Sequence, residues 1–377
     1  MTPQDDNDRL RAGTLPEDPE ADTVPFPVEG SSSPEAGEEE PAAPPPPLYP
    51  SLADLNATSI AEGLGTWMTG PYPTLPVLLE DANGSPFLPR GVVGCLAAEP
   101  GTGKSWGVVQ LGLAVAAGRP WFRSYPAVEA GGVAMLMAEL DGPLLRFRLH
   151  RAGALDGYSA DDEASLAPRL VPAGLRGQSV RLSMRRTNPK EGDPNIMPTP
   201  YWRELRSWLS ACAPPEGWAL IVLDPFARFS GADAENSVEA STTMIELAEQ
   251  LTLLPGQPTV LLVHHTRKPD KGDATGADMN NVRGSSGILG ALQWIAMLTI
   301  PLVDGKPHRR LVHLCVVKAN TVEKPDEPLV LWRDPAFHGA LRPATQVEAA
   351  QAASAPSGDP NGGRDPRNPY RRGPGGW

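Results

Sequence analysis

The sequence predicts an α/β protein, a mostly parallel sheet flanked by helices, on three observations. First, short apolar runs alternate with longer amphipathic segments between about residues 86 and 335. Strand–helix repetition of this kind builds parallel sheets. Second, the runs GVVGCLAA (91–98), GVAMLMAEL (132–140), WALIVLD (218–224) and PTVLLVHH (258–265) are continuously apolar rather than alternating, the sign of strands buried on both faces. Third, the polar residues that break the pattern fall at the carboxyl ends of these runs, where such sheets bind ligands.

Taken in order, 91–98 reads as a strand, and WGVVQLGLAVAAG (106–118) as a helix of small residues stopped at Gly118 before Pro120. A strand at 132–140 and a helix at 142–155 follow. YWRELRSWLSAC (201–212) is a helix closed by Pro214 and Pro215, 218–224 a strand, and SVEASTTMIELAEQLTLL (237–254) a helix. After the strand at 258–265, SSGILGALQWIAMLTI (285–300) is a helix, or a helix then a strand, and RRLVHLCVVKA (309–319) is a strand.

The ends read differently. Residues 1–50 carry twelve acids against Arg9 and Arg11, which is −10 of the formal net charge of −12. The acidity therefore describes a tail and says little about the partners of the core. That segment ends in PAAPPPPLYP, with few residues to bury. The other end reads NGGRDPRNPYRRGPGGW, small, polar and mildly basic. The expected organisation is a disordered acidic Pro-rich tail (1–50), a lead-in segment packing on the core (51–85), a folded domain (86–340) and a disordered Gly/Pro/Arg tail (341–377). No apolar run reaches the length of a membrane span, and the first residues lack a basic and apolar leader; a cytoplasmic protein with no membrane partner is expected. Cys95, Cys212 and Cys315 are scattered in apolar surroundings and read as reduced core thiols.

The stretch AAEPGTGKSWG (97–107) lies between a strand and a helix, the context a phosphate-binding loop requires. Gly101 and Gly103 let the backbone turn its amides inward, and the helix adds its positive N-terminal end. Glu99, Pro100, Gly101, Thr102, Gly103, Lys104, Ser105 and Trp106 are the expected nucleotide-binding residues. Lys104 would reach the β and γ phosphates of ATP, and Ser105 would ligate Mg²⁺. The full pattern has glycine at the position of Ala98, so Ala98 is read as a tolerated variant. The alternative is an ordinary glycine turn with an exposed lysine.

Hydrolysis needs a metal ligand and a water activator beside the loop. Asp224 ends a long apolar strand and can hold Mg²⁺; as Asp it can equally cap a helix. Glu139 ends the strand after the first helix, where a carboxylate can polarise the attacking water. Asp141 can do the same or cap the helix that follows. His264 and His265 end another strand, and one of them can donate to the γ phosphate while the other is a surface residue.

In this order GTGKS, MAEL-D, LIVLDPFARF with ENS downstream, LLVHHTRK, VRGSSGIL and VKAN resemble the RecA-like ATPases of the RepA type, ring-forming plasmid replicative helicases and their phage and bacterial relatives. The resemblance spans about residues 86–335. It implies a RecA-like P-loop core, ATP hydrolysis with Mg²⁺, a homo-oligomer in the form of a hexameric ring, and work on single-stranded DNA in replication or recombination. Residue by residue it implies that Lys104 and Ser105 are the phosphate-loop pair, Glu139 the catalytic glutamate, Asp224 the Mg²⁺-side acid and His264 the γ-phosphate sensor. Arg283 of RGSS would be an arginine finger for the neighbouring subunit's nucleotide; from the residues alone it reads equally as a helix-start residue. Lys318 stands where relatives have Lys-x-Arg, and Asn320 in the third position leaves a second finger of lysine alone. The alternative function is a DNA-independent switch ATPase that regulates a protein partner through its tails.

Two segments are candidates for DNA contact. In 266–284, Arg267, Lys268 and Lys271 are nearly cancelled by Asp270, Asp273 and Asp278. LRGQSVRLSMRRTNPK (175–190) carries Arg176, Arg181, Arg185, Arg186 and Lys190 with no acid, either a phosphate-contact stripe or a solvated insertion. No aromatic residue interleaves with these arginines for base stacking.

Overall fold

The computed structural model describes residues 74–187, 195–231, 237–266, 277–282, 286–303 and 306–353. The chain divides into two units, residues 1–72 and 73–377, and every described residue belongs to the second.

Strands β1 (Val77–Glu80) and β2 (Pro86–Pro89) form an antiparallel hairpin. The Asp81 carboxylate closes its turn by accepting from the backbone N–H groups of Asn83 and Ser85. Then follow β3 (Val93–Ala98), helix α1 (Lys104–Ala117), β4 (Gly132–Met137), α2 (Gly142–Asp156), α3 (Ala160–Leu166) and β5 (Leu170–Gly174). A small ribbon, β6 (Ser183–Arg185) and β7 (Ile196–Pro198), leads to α4 (Pro200–Ala211), β8 (Trp218–Asp224), the single turn α5 (Phe226–Phe229), α6 (Val238–Thr252) and β9 (Thr259–His265). The chain continues through α7 (Ser286–Ala291), β10 (Trp294–Thr299), the short ribbon β11 (Leu302–Val303) and β12 (Lys306–Pro307), then β13 (Leu311–Ala319), β14 (Leu329–Asp334), β15 (Ala340–Pro343) and α8 (Gln346–Ala353).

Nine strands make one sheet in the order β15-β14-β13-β10-β3-β9-β8-β4-β5. From β10 to β5 all pairs are parallel; β13, β14 and β15 extend the sheet antiparallel. Side chains alternate between faces along a strand, and here both sets are apolar. Leu96, Met135, Leu220 and Leu261 join the core under α1, α2 and α3. Cys95, Ala134, Ile221 and Leu262 join the core under α4, α5 and α6. Burial on two faces explains why the runs look continuously apolar. The small residues of α1 bring it close to the sheet: a Cβ on Gly112 would stand 2.7 Å from the Met135 sulfur.

The register sets the carboxyl ends side by side. Ala98 pairs with His265 on one flank and Leu298 on the other, and Met137 pairs with Asp224. Between the strand that precedes the glycine loop (β3) and the strand that ends in Asp224 (β8) lies a single strand, β9.

Several expectations change. Residues 285–300 resolve into α7 and then β10. Strand β5, LVPAG, is not among the predicted elements because it is a half-buried edge strand interrupted by Pro172, so no apolar run marks it. β15 and most of α8 lie within residues 341–377, where the sequence predicts a disordered tail. Leu341 is fully buried there, and Arg342 bonds both Asp334 and Glu348, which fastens strand to helix. The three thiols do not share one environment: Cys95 is buried, Cys315 half-buried and Cys212 exposed at the end of α4.

Candidate functional site

The glycine loop leaves β3 at Ala98 and enters α1 at Lys104. Gly101 (φ +80°) and Gly103 (φ +114°) take left-handed backbone conformations that a side chain would strain. Ala98 does not: it is still strand, paired with His265, with its methyl group in the core. That explains why alanine is accepted where the full pattern has glycine.

Lys104 is 7% exposed. Its ammonium donates to the carbonyls of Ala98 (2.8 Å) and Glu99 (3.0 Å), folding back over its own loop. Burial lowers its pKa to about 8, and the carboxylates of Asp224, Glu139 and Glu99 oppose that shift. Asp224, the last residue of β8, is 5% exposed. Burial raises its pKa to about 6, helped by the Glu139 charge and opposed by a hydrogen bond from Ser105 and by the cations of Lys104 and Arg148. Lys104, Ser105, Glu139 and Asp224 therefore lie within electrostatic reach of one another at one sheet edge.

Alternation along the strands explains the convergence. Met135 and Met137 of β4, and Leu220 and Val222 of β8, face α1; Glu139 and Asp224 continue those same rows. Glu139 is exposed beyond the end of β4. Asp141 is occupied otherwise: its carboxylate caps α2 by accepting from the Leu144 N–H (2.9 Å) and faces Arg176 at 3.5 Å.

The histidine pair divides between the faces. His264 is 1% exposed and its ring lies 5.0 Å from that of Phe226, on the α5 side of the sheet; it also accepts the His265 backbone N–H on Nδ1 (2.8 Å). His265 continues the row of Leu261 and Val263, which faces α1. The sequence names His264 as the residue facing the phosphates, whereas strand alternation gives that side to His265.

Lys318 is not near the loop of its own chain. It pairs with Ile295, toward the amino ends of the parallel strands, and its ammonium donates to the carbonyls of Leu289 (2.8 Å) and Gly290 (2.9 Å) in α7. Arg283, Lys190 and residues 267–276 lie outside the described residues.

Two arginines at the site carry no motif. Arg148 of α2 is half-buried; burial lowers its pKa, and the charges of Asp224 and Glu139 oppose the shift. Its guanidinium sits 5.6 Å from the Trp106 ring. Among the basic residues of RFRLHR nothing local distinguishes it; its place on the helix that starts just after Glu139 is the only signal. Arg333 of β14 donates to the Thr102 carbonyl inside the glycine loop (2.9 Å).

Taken together, a buried lysine, a hydroxyl bonded to a buried carboxylate and an exposed carboxylate around a glycine turn suit the binding and cleavage of a nucleoside triphosphate. Ser105 and Asp224 supply the hard oxygen donors that Mg²⁺ takes, so the residues present fit that ion.

Among the described residues no helix is long and apolar enough to cross a membrane. No curated protein matches the chain significantly. Solved structures similar to it include an isolated ATPase domain (12% identity, TM-score 0.46, 68% of this chain and 86% of that one). Another is a DnaB-like replicative helicase, described with its primase interactions (12%, 0.44, 66% and 56%). A third is the RadB recombinase (13%, 0.43, 68% and 92%). The family model described as AAA domain matches residues 70–271, from before β1 to beyond β9. That match spans more than half of the sequence, so the chain belongs to the AAA domain family, as an ATP-hydrolysing enzyme with a RecA-like P-loop core.

Proposed function

We propose that this ATPase is Mg²⁺-dependent, assembles as a hexameric ring, and couples ATP hydrolysis to binding or unwinding single-stranded DNA in replication or recombination. The observation that carries the chemistry is the gathering of Lys104, Ser105, Glu139 and Asp224 around one glycine loop. Assembly is supported by Lys318, which points away from its own loop and suits a neighbour's nucleotide.

In this reading the amides from Glu99 to Trp106 cradle the phosphates, and the Lys104 ammonium leaves the Ala98 and Glu99 carbonyls for the β and γ phosphate oxygens. Ser105 and Asp224 hold Mg²⁺, which when bound neutralises phosphate charge and orients the β and γ groups. Glu139, exposed and in line with the phosphates, orients the attacking water and takes its proton on a carboxylate oxygen. His265 reads the γ phosphate from the α1 face, while His264 braces the strand end against Phe226. Arg283 and Lys318 serve the adjoining subunit, where an added cation stabilises transition-state charge.

The test is phosphate release with and without a thymidine oligonucleotide, beside the particle mass with ATP and Mg²⁺. Stimulation of several-fold together with a ring-sized mass is expected. Hydrolysis indifferent to the oligonucleotide, from a chain that remains a monomer, overturns this reading and leaves the partner-regulated switch.

A further inference from the structure

The arginine-rich stretch after β5 folds into something its sequence does not announce. Two clefts meet at Arg181. One, of about 340 Å³, is lined by Arg181, Met184, Arg185 and Tyr201. The other, of about 300 Å³, is lined by Gln178, Arg181 and Arg228. Both include Ser179 and Arg181, so they form one groove with Arg185, Arg181 and Arg228 along it. All three arginines are exposed, and residues 175–187 contain no acid. Arg176 stands apart, facing Asp141. The aromatic ring absent from the stretch arrives through the fold: Tyr201 comes from the first turn of α4, and Met184 beside it is 40% exposed.

The groove is fastened to the segment that begins at Asp224. The Leu182 N–H donates to the Phe229 carbonyl (2.8 Å) at the end of α5. The Gly231 N–H donates to the Ser183 hydroxyl (3.2 Å), and Arg228 donates to the Gln178 carbonyl (3.4 Å). A Cβ on Gly231 would stand 2.4 Å from the Ser183 carbonyl, so the two segments lie in close contact. At its other end α5 presents Phe226 to His264. Only one helical turn separates the Asp224 carboxylate from the groove wall.

We propose that this groove binds the phosphate backbone of single-stranded DNA and couples its occupancy to the nucleotide site through α5. The proposal rests on the reading that the ATPase works on DNA. Guanidinium forks suit phosphate oxygens, and Tyr201 and Met184 offer the apolar faces on which unpaired bases rest. An acidic peptide would need the arginines alone, so the pairing of charge with an aromatic face favours a nucleic acid over the acidic segment 1–50 of this chain.

The experiment measures binding of a fluorescent thymidine oligonucleotide to the full chain across salt concentrations, with ATP turnover alongside. R181A/R185A is expected to weaken binding by about tenfold and to lower the salt slope by about 0.7 for each arginine removed. It should abolish DNA stimulation while leaving turnover without DNA unchanged. R181K/R185K, which keeps the charge, should recover most of the affinity; a folding defect would show instead as lost basal turnover. Tyr201→Ala should weaken binding with no change of salt slope. Wild-type binding by R181A/R185A overturns the groove but leaves the DNA-coupled reading intact if stimulation persists. A wild-type chain that ignores the oligonucleotide sinks both. Release of a labelled 1–50 peptide by R181A/R185A, with oligonucleotide binding unaltered, assigns the groove to the acidic tail and also overturns the proposal.

Discussion

From one side, the parallel strands β3, β4 and β8 bring Lys104, Glu139 and Asp224 to the glycine loop. From the other, the antiparallel strands β14 and β15 bring Arg333 and Leu341 to the same loop. The first set is charged and faces the space where phosphates would lie. The second set is structural: Arg333 bonds the Thr102 carbonyl, and a Cβ on Gly103 would rest 3.4 Å from Leu341. Gln110 of α1 completes it, donating to the Leu341 carbonyl (2.7 Å) and accepting from its N–H (3.0 Å). One half of the sheet supplies chemistry, and the other holds the loop in shape for it.

The sharpest way to separate the halves is to remove one function from each. Glu139→Gln should lower kcat by about 10²–10⁴-fold, the usual contribution of a general base. It should leave ATP affinity and unfolding free energy close to wild type, because Glu139 is exposed. Turnover within a few-fold of wild type would remove Glu139 from the mechanism. Leu341→Ala should do the reverse. The side chain is fully buried, so its loss should destabilise the fold by about 2–5 kcal/mol in denaturant titrations, with the residual folded enzyme still turning over. A change no larger than that of an ordinary surface substitution would mean that β15 does not hold the loop.

Asp224 tests whether the catalytic half works against stability. Its folded pKa is raised from 3.8 to about 6, so the folded chain binds the extra proton. Its stabilising contribution is full below pH 3.8 and is lost as pH rises through about 6. Asp224→Asn cannot titrate. The nucleotide-free variant should therefore be more stable than wild type at pH 8 by roughly 3 kcal/mol, should lose this part of the pH dependence, and should hydrolyse no ATP. Parallel stability curves for the two proteins between about pH 4 and pH 8 would refute it.

The same division explains what the sequence disclosed. GTGKS is a local word between a strand and a helix, and Asp224 closes an apolar run, so the parallel half and its polar ends can be read residue by residue. The clamp cannot. Arg333 meets Thr102, and Gln110 meets Leu341, across separations of 231 residues, and β14 and β15 are short and partly exposed. Arg148 is hidden among the other basic residues of α2, and Tyr201 joins the arginine groove only through the fold. The motif points to His264 rather than His265 because a run of letters does not say which face its last residues take; the alternation of Leu262 and Val263 into separate cores does.

The smallest effect carries the most specific claim about the clamp. In a trans peptide the C=O and the N–H of the next residue point in opposite directions. The hydrogen bond from Arg333 holds the Thr102 carbonyl toward β14, so it also turns the Gly103 N–H away from β14, toward the interior of the loop. Gly103, with φ of +114°, has no side chain to fix that orientation by packing. Arg333→Ala should therefore cost only about 1 kcal/mol of stability, the net worth of one hydrogen bond. The freed peptide would sample both directions, and ATP would have to select the competent one, so KM should rise a few-fold while kcat holds, the pattern of an interaction equal in ground and transition states. A fall in kcat with KM unchanged would instead place Arg333 among the groups that act on the transition state, and the antiparallel strands would belong to the chemistry they are here said only to support.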